Sequence, residues 1–337
     1  MRIILDAMSG DNAPLEILRG AVLAKAELPD IEIVLVGDTA LLMQTATENG
    51  IDLTPFTVAH SDTVITMEDP ALSVIHEKKN SSMGVGLKMI ASDEGDAFVS
   101  AGNTGALLAG ASLIVRRLKG VARPGIATIL PLSNPVLLLD SGANITVKEE
   151  NLEMFAIMGS VYMRSFYGIE RPRVGQVNNG AESTKGTPLQ IATYERLSAN
   201  KEINFVGNVE GKDIPFNACD VLVTDGFTGN VVLKTAEGMG KMMLQMMKDL
   251  FYANLLTILG AGLMKAKIDD LKHRFDASEH GGAPILGIRR PVFKAHGGSD
   301  AKAIKNAIRQ AVNFVASDVN GEIERTAERL SVPHTED

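Results

Sequence analysis

The sequence predicts an α/β fold, a mainly parallel sheet covered by helices. Short β-branched or apolar runs alternate with helix-periodic runs along the chain. Most strand-like runs end in a cluster of Gly, Asn, Asp or Ser, the punctuation of a strand feeding a helix. With 45% hydrophobic residues in 337, the chain can bury one large core or the cores of two lobes.

The first strand covers 3–6, and a helix follows over 15–25. A second strand over 31–36 stops at Gly37-Asp38 and leads to a helix over 40–48. Further strands are predicted at 97–100, 136–140, 173–177, 203–206 and 221–224. Helices are expected over 106–118 and from Pro188 onward. A Met- and Leu-rich helical pattern follows Asn230 to about 256, and a second covers 261–275. Together they predict a long helical hairpin over 230–275, with its turn at LLTILGAGLM. A final helix is expected over 299–330. There is no repeat array or low-complexity stretch, so 1–337 reads as one domain, or as two lobes that change near 145–151.

Composition narrows the function. The formal charge of -8 and the absence of Trp argue against a nucleic-acid platform. Cys219 is the single cysteine, so no intrachain disulfide forms and a reducing, cytoplasmic setting is expected. The N-terminus MRIILDAMSGD carries Asp6 inside its apolar run, which reads as a buried strand rather than a signal peptide. No run reaches the roughly 18 apolar residues of a membrane-spanning helix.

Four strand ends share one design. They read DAMSGDNAP from Asp6, SAGNTG from Ser100, DSGAN from Asp140 and TDGFTGN from Thr224. In a parallel sheet such loops gather at the carboxyl edge, where ligands bind. Glycine lets the backbone approach a ligand, and the following helix offers unpaired N–H groups to an anion. Each loop alone is equally a capped turn; the recurrence of amides and hydroxyls in several of them points to a site. No dinucleotide G-x-G-x-x-G and no P-loop G-x-x-x-x-G-K-[ST] is present. Lys185, in NNGAESTKG, follows a strand and can neutralise phosphate or an oxyanion, or serve as a solvated loop charge paired with Glu182. The histidines lack metal-ligand spacing, and Cys219 abuts an apolar strand as core. His296 precedes a helix start, as a capping or a catalytic residue.

At these loops the sequence resembles the bacterial phosphate acyltransferases (PlsX), which use acyl carrier protein thioesters. The matching segments are 6–14, 100–109, 140–144, 179–186, 205–211, 224–238, 281–287 and 295–300, in the family's order along the whole chain. FVGNVEG from Phe205 and the 224–238 segment are the most distinctive. Ser9 stands where the family commonly has glycine, and Ala181 with Ser183-Thr184 replaces residues more often acidic or apolar. The resemblance implies a three-layer α/β/α sandwich similar to isocitrate and isopropylmalate dehydrogenases and to phosphotransacetylase. It further implies a homodimer that makes acyl phosphate early in phospholipid synthesis, for a membrane glycerol-3-phosphate acyltransferase; from the residues themselves no metal and no cofactor is expected.

Such a reaction needs little acid or base help. Phosphate dianion is already nucleophilic, and a thiol of pKa roughly 8.5 leaves readily. What it needs is proximity and a home for negative charge. The expected catalytic residues are Lys185, Asn230 and Asp225, with Asp225 orienting Lys185 or accepting a proton. Substrate contacts are expected from Asp6, Gly10, Asn12, Ser100, Gly102, Asn103, Thr104, Asp140, Asn144, Gly226, Thr228 and His296. Within this set, Lys185 and the 100–105 amides hold phosphate, while Asn103 and Asn230 donate to phosphate or the oxyanion.

Two surfaces suggest partners. Arg116, Arg117, Lys119 and Arg123 are the densest basic cluster, a dock for an acidic carrier protein or a solvated helix end. Leu255, Leu256, Ile258, Leu259 and Leu263 crowd the hairpin turn before Lys265 and Lys267, as a peripheral membrane contact or a dimer seam. Rival readings are a phosphotransacetylase using coenzyme A thioesters and a non-catalytic membrane scaffold. A hydride-transfer enzyme is disfavoured by the missing dinucleotide signature.

Overall fold

Ile3, Ile4 and Leu5 are sealed from solvent in β1 (Arg2–Asp6), whose two faces are both covered. In the computed structural model, which describes residues 1–132, 134–254 and 281–331 with Gly262, Met264, Lys267 and Ile268, β1 belongs to the first of two sheets. The chain adds β2 (Glu32–Gly37), β3 (Thr57–His60) and β4 (Ala97–Ser100), all in parallel register. The intervening helices are α1 (Leu15–Glu27), α2 (Thr39–Glu48) and α3 (Ser82–Ala91). After β4, α4 (Thr104–Gly110) runs on as a π-helical turn over Ala111–Arg116.

The short strand β5 (Gly125–Ile126) closes the first sheet, and after Ala127 the chain enters the second sheet as β6 (Thr128–Leu130). The second sheet adds β7 (Val136–Leu139), β8 (Arg173–Asn178), β9 (Asn204–Glu210) and β10 (Val221–Val223). Its order is β6-β7-β10-β8-β9, with only β6 antiparallel to its neighbour. The helices of this half are α5 (Glu149–Tyr167), α6 (Pro188–Ala199) and α7 (Gly226–Phe251). The chain then returns to the first sheet through β11 (Gly282–Leu286) and β12 (Val292–Ala295). It ends in α8 (Ala301–Ala316) and α9 (Val319–Ser331). The first sheet has the order β3-β2-β1-β4-β12-β11-β5. One apolar cluster joins the two halves, from Ile3 and Val99 through Leu139 and Phe155 to Phe314.

The α/β expectation is met, with the strands divided between two sheets. The stretch 145–151 lies between β7 and α5 and runs into the first turn of α5. The single last helix is instead two, broken where Asp318 takes a left-handed φ of 47°. The apolar spacing runs through this break because Phe314, Val319 and Ile323 all face the core. The helix expected over 106–118 begins earlier and changes to π geometry. α7 covers the first arm of the hairpin. The apolar turn at Leu255, Leu256, Ile258, Leu259 and Leu263, and nearly all of the second arm, lie outside the described residues. Among the described residues no helix is long and apolar enough to cross a membrane.

Candidate active site

All four glycine-bearing loops contribute to one cavity of about 600 Å³ between the sheets. Asp11 comes from the loop after β1, Gly102 and Thr104 from the β4 exit, Ser141 and Gly142 from the β7 exit, and Asn230 from the start of α7. A fifth loop, after β12, adds His296 and Gly297. Parallel strands deliver these loops to one edge: Asp6 is the last residue of β1, and Lys294 of β12 pairs with Ser100 of β4.

Local hydrogen bonds explain the loop shapes. Buried Asp6 accepts the Ser100 hydroxyl at 2.7 Å and the Met8 N–H at 3.3 Å. The Ser100 hydroxyl oxygen also accepts the Gly102 N–H at 3.1 Å. Gly10 has a φ of 111°, and a Cβ there would press on Ala101 and the Gly297 carbonyl. The Asp11 N–H donates to the Gly297 carbonyl at 2.8 Å, and the Asn12 amide reaches the Gly298 and Ser299 carbonyls at 3.4 Å. Ser9 is buried against Gly102.

Asp140 is the hub of the other side. Its Oδ1 accepts the N–H groups of Ile126, Gly142 and Ala143, and its Oδ2 accepts the Asn144 N–H and side-chain amide. One buried carboxylate thus holds both the β7 loop and the strand leading to the second sheet. The Asn144 amide also donates to the Pro124 carbonyl at 2.7 Å. Gly226 and Gly229 let α7 seat directly on this loop, since a Cβ on Gly229 would fall 1.9 Å from the Asp140 carbonyl oxygen.

Several expected ligand contacts are committed to structure here. The Asn103 amide nitrogen points at the carbonyls of Thr66, Met67 and Asp69, and its Oδ1 caps α4 at Ala106. Its hydrogens are taken by the 66–69 loop. Asp225 caps α7, accepting the Thr228 N–H at 2.9 Å and the Thr228 hydroxyl at 2.7 Å. Lys185 does not line the cavity; it is exposed, on a turn where its N–H donates to Glu182 and its carbonyl accepts the Asn178 amide. The strand order explains this, because β8 is separated from β7 by β10, so its loop leaves the sheet away from the seam. Arg116, Arg117, Lys119 and Arg123 are all exposed. Within that cluster the Arg117 guanidinium bonds the Ala122 carbonyl and Lys119 pairs with Glu328 at 3.2 Å.

Among the described residues the cations that line the cavity are Lys234 and Lys294, neither singled out from sequence. Lys294 carries a signal in KAHGGSD, where it stands two residues before His296 and directly ahead of the matching segment 295–300. Its ammonium donates to the Ala295 carbonyl. Burial, with help from Lys234, pushes it down to about 8 against the pull of Asp11. Lys234 pairs with Glu237 at 2.9 Å. His296 accepts the Gly298 N–H through Nδ1 at 3.2 Å, which leaves Nε2 to carry the proton of the neutral ring. Burial of part of the ring, then Lys234 and Lys294, hold His296 below the usual histidine range. The wall therefore offers two ammonium groups, a neutral imidazole, the Asn230 amide and glycine backbones. Such a set can bind and neutralise an oxyanion. Cys219 is remote from this chemistry, buried with its thiol pushed up to about 12 by burial and by Asp220.

Comparison with known proteins accords with this chemistry. A family model described as "Fatty acid synthesis protein" matches residues 1–322. The phosphate acyltransferase of Thermoanaerobacter pseudethanolicus is 45% identical over 98% of this chain and 100% of its own length. That of Bacillus subtilis is 43% identical over 95% of this chain and 96% of its own. A phosphotransacetylase from Streptococcus pyogenes shares the fold, with a TM-score of 0.64 at 15% identity over 95% of this chain and 94% of that one. Matched along nearly its whole length by that model and by these relatives, the chain belongs to the phosphate acyltransferase family.

Proposed function

We propose that the protein transfers a fatty acyl group from acyl carrier protein to inorganic phosphate, giving acyl phosphate for phospholipid synthesis. The observation that carries the reading is the cavity on which glycine-bearing loops of both sheets converge, with Lys234, Lys294 and His296 on its wall. A phosphate oxygen attacks the thioester carbonyl carbon; the new C–O bond forms as the C–S bond breaks. The thiolate leaves and takes up a proton, and the proton of hydrogen phosphate is released as the acyl phosphate ionises. Lys294 and Lys234 would hold the dianion, with Gly102 and Thr104 of the β4 exit beside it. Asn230 and the His296 Nε2–H would donate to the developing oxyanion. Asp6, Gly10, Asn12, Ser100, Asp140, Asn144, Gly226 and Thr228 would shape these loops rather than touch the reacting atoms.

The exposed cluster of Arg116, Arg117, Lys119 and Arg123 suits an acidic carrier protein. The exposed apolar side chains of α7, among them Phe227, Val231, Met242, Met246 and Leu250, support a homodimer. The leucine-rich turn with its following lysines supports peripheral attachment to anionic membrane.

The test is incubation of purified protein with acyl carrier thioester, with and without phosphate. Phosphate-dependent release of thiol together with acyl phosphate is expected. Equal thiol release without phosphate would refute the reading, and preference for short coenzyme A thioesters would favour a phosphotransacetylase. Flotation of the same preparation with anionic vesicles tests the membrane contact, which protein remaining at the bottom of the gradient would exclude.

A further inference from the structure

The cavity is far larger than inorganic phosphate needs, and its lining divides by element. Polar groups cluster at the loops, while Ile126, Ala127 and Ile129 from the inter-sheet crossing face Ala283 and Pro284 of β11 and Tyr162 of α5. The backbones of this apolar part satisfy one another: the Ala127 N–H donates to the Pro284 carbonyl at 3.0 Å. The hydroxyl of Tyr162 is engaged with Tyr167, and its ring stacks on Phe166 at 5.1 Å and lies 6.0 Å from Phe314. Tyr162 thus brings a packed aromatic group to the wall. Gln310 on α8 brings one amide.

This part also runs away from the loops. Ser141 and Gly142 follow the carboxyl end of β7, whereas Ile129 pairs with Leu137 near the other end. The lining therefore extends roughly 10 Å along the strand, at about 3.4 Å per residue. Tyr162 lies about 20 Å along α5 from its first turn, at 1.5 Å per residue. An elongated space walled by aliphatic and aromatic side chains, opening onto an anion-binding end, fits a hydrocarbon tail carrying a reactive head.

We infer that this apolar arm of the cavity holds the acyl chain of the donor, and that Ile129, Leu233 and Tyr162 set the chain length accepted. The inference rests on the acyl-transfer reading and deepens it. The carbonyl lies near Asn230 and Lys294, and the chain passes Leu233 and Ile129 toward the Tyr162 ring. A longer chain gains burial until it meets Tyr162, which cannot yield because Phe166 and Phe314 back it.

The test is the ratio of kcat/KM for a long to that for a short saturated acyl thioester, for wild type, Ile129→Phe and Leu233→Phe. Two sites guard against one variant failing to fold. Filling the arm is expected to lower the long-to-short ratio at least about tenfold in one or both variants, the effect of losing about 1.4 kcal/mol of chain burial. A ratio unchanged in both folded variants would overturn the inference. If wild type makes no acyl phosphate from any thioester, the function itself fails, which is a separate outcome.

Discussion

Lys294 is an ammonium placed where burial works against its charge, with Lys234 adding repulsion. A bound dianion would relieve both penalties, so the residue is poised to prefer the loaded site. Lys294→Ala is expected to lower kcat/KM for phosphate by on the order of tenfold to a hundredfold, the worth of one charge-assisted hydrogen bond. Lys185→Ala, on an exposed turn, should change it by less than about twofold. Steady-state kinetics with varied phosphate decide between them, and the reverse ranking would return the role to Lys185. The pH dependence follows from the same group. Below about 8 Lys294 is charged in the free enzyme; above that value the charge is lost and the KM for phosphate should rise. For stability the sign is set by a folded value below the ordinary 10.5. Between about 8 and 10.5 the unfolded chain binds the extra proton, so wild type should gain stability relative to Lys294→Met as pH rises through that window.

At the scale of elements, the site depends on how closely α7 seats on the β7 loop. Gly229 has no room for a Cβ, because the Asp140 carbonyl oxygen would lie 1.9 Å away. Gly229→Ala must lift the first turn of α7 from the loop that Asp140 organises. It should cost about 1–3 kcal/mol and displace Asn230, with a loss of activity beyond the loss of stability. Gly238 lies in the same helix, with no described residue within 4 Å of an added Cβ. Gly238→Ala should stabilise by about 0.5–1 kcal/mol. Chemical denaturation of the two variants checks the pair. Equal effects would mean that helix propensity, and not the close approach, governs this helix.

Across the whole molecule, the cavity lies where a chain crosses between sheets. The crossing takes the single residue Ala127 between β5 and β6, and the return through β11 and β12 brings Lys294 and His296 beside the β4 exit. The proposed carrier-protein dock lies on the outer surface, at a cluster distinct from the cavity lining. Charge reversal at Arg116 and Arg123 is expected to raise the KM for an acyl carrier donor several-fold. It should leave the KM for phosphate and for an acyl coenzyme A donor unchanged. An unaltered carrier KM would leave these arginines as a solvated helix end.

The strand-to-helix alternation, the four glycine-bearing loops and the family were legible in sequence, because period, turn chemistry and loop residues are local properties. The loops after β1, β4, β7 and β10 emerged where strand ends were expected. Other features are non-local. β11 and β12 are absent from the strands expected of the sequence: Gly281, Gly282, Pro284 and Pro291 are poor strand residues, and sheet pairing makes the strands. Spacing could not say that Asn103 and Asp225 spend their hydrogen bonds on a loop and a helix cap. Nor could it say that Lys185 stands outside the seam while Lys234 and Lys294 line it. The sequence by itself determined the fold class and the kind of chemistry. Only the tertiary structure decided which of the described cations line the cavity, because strand order across two sheets, and not position along the chain, sets which loops share it.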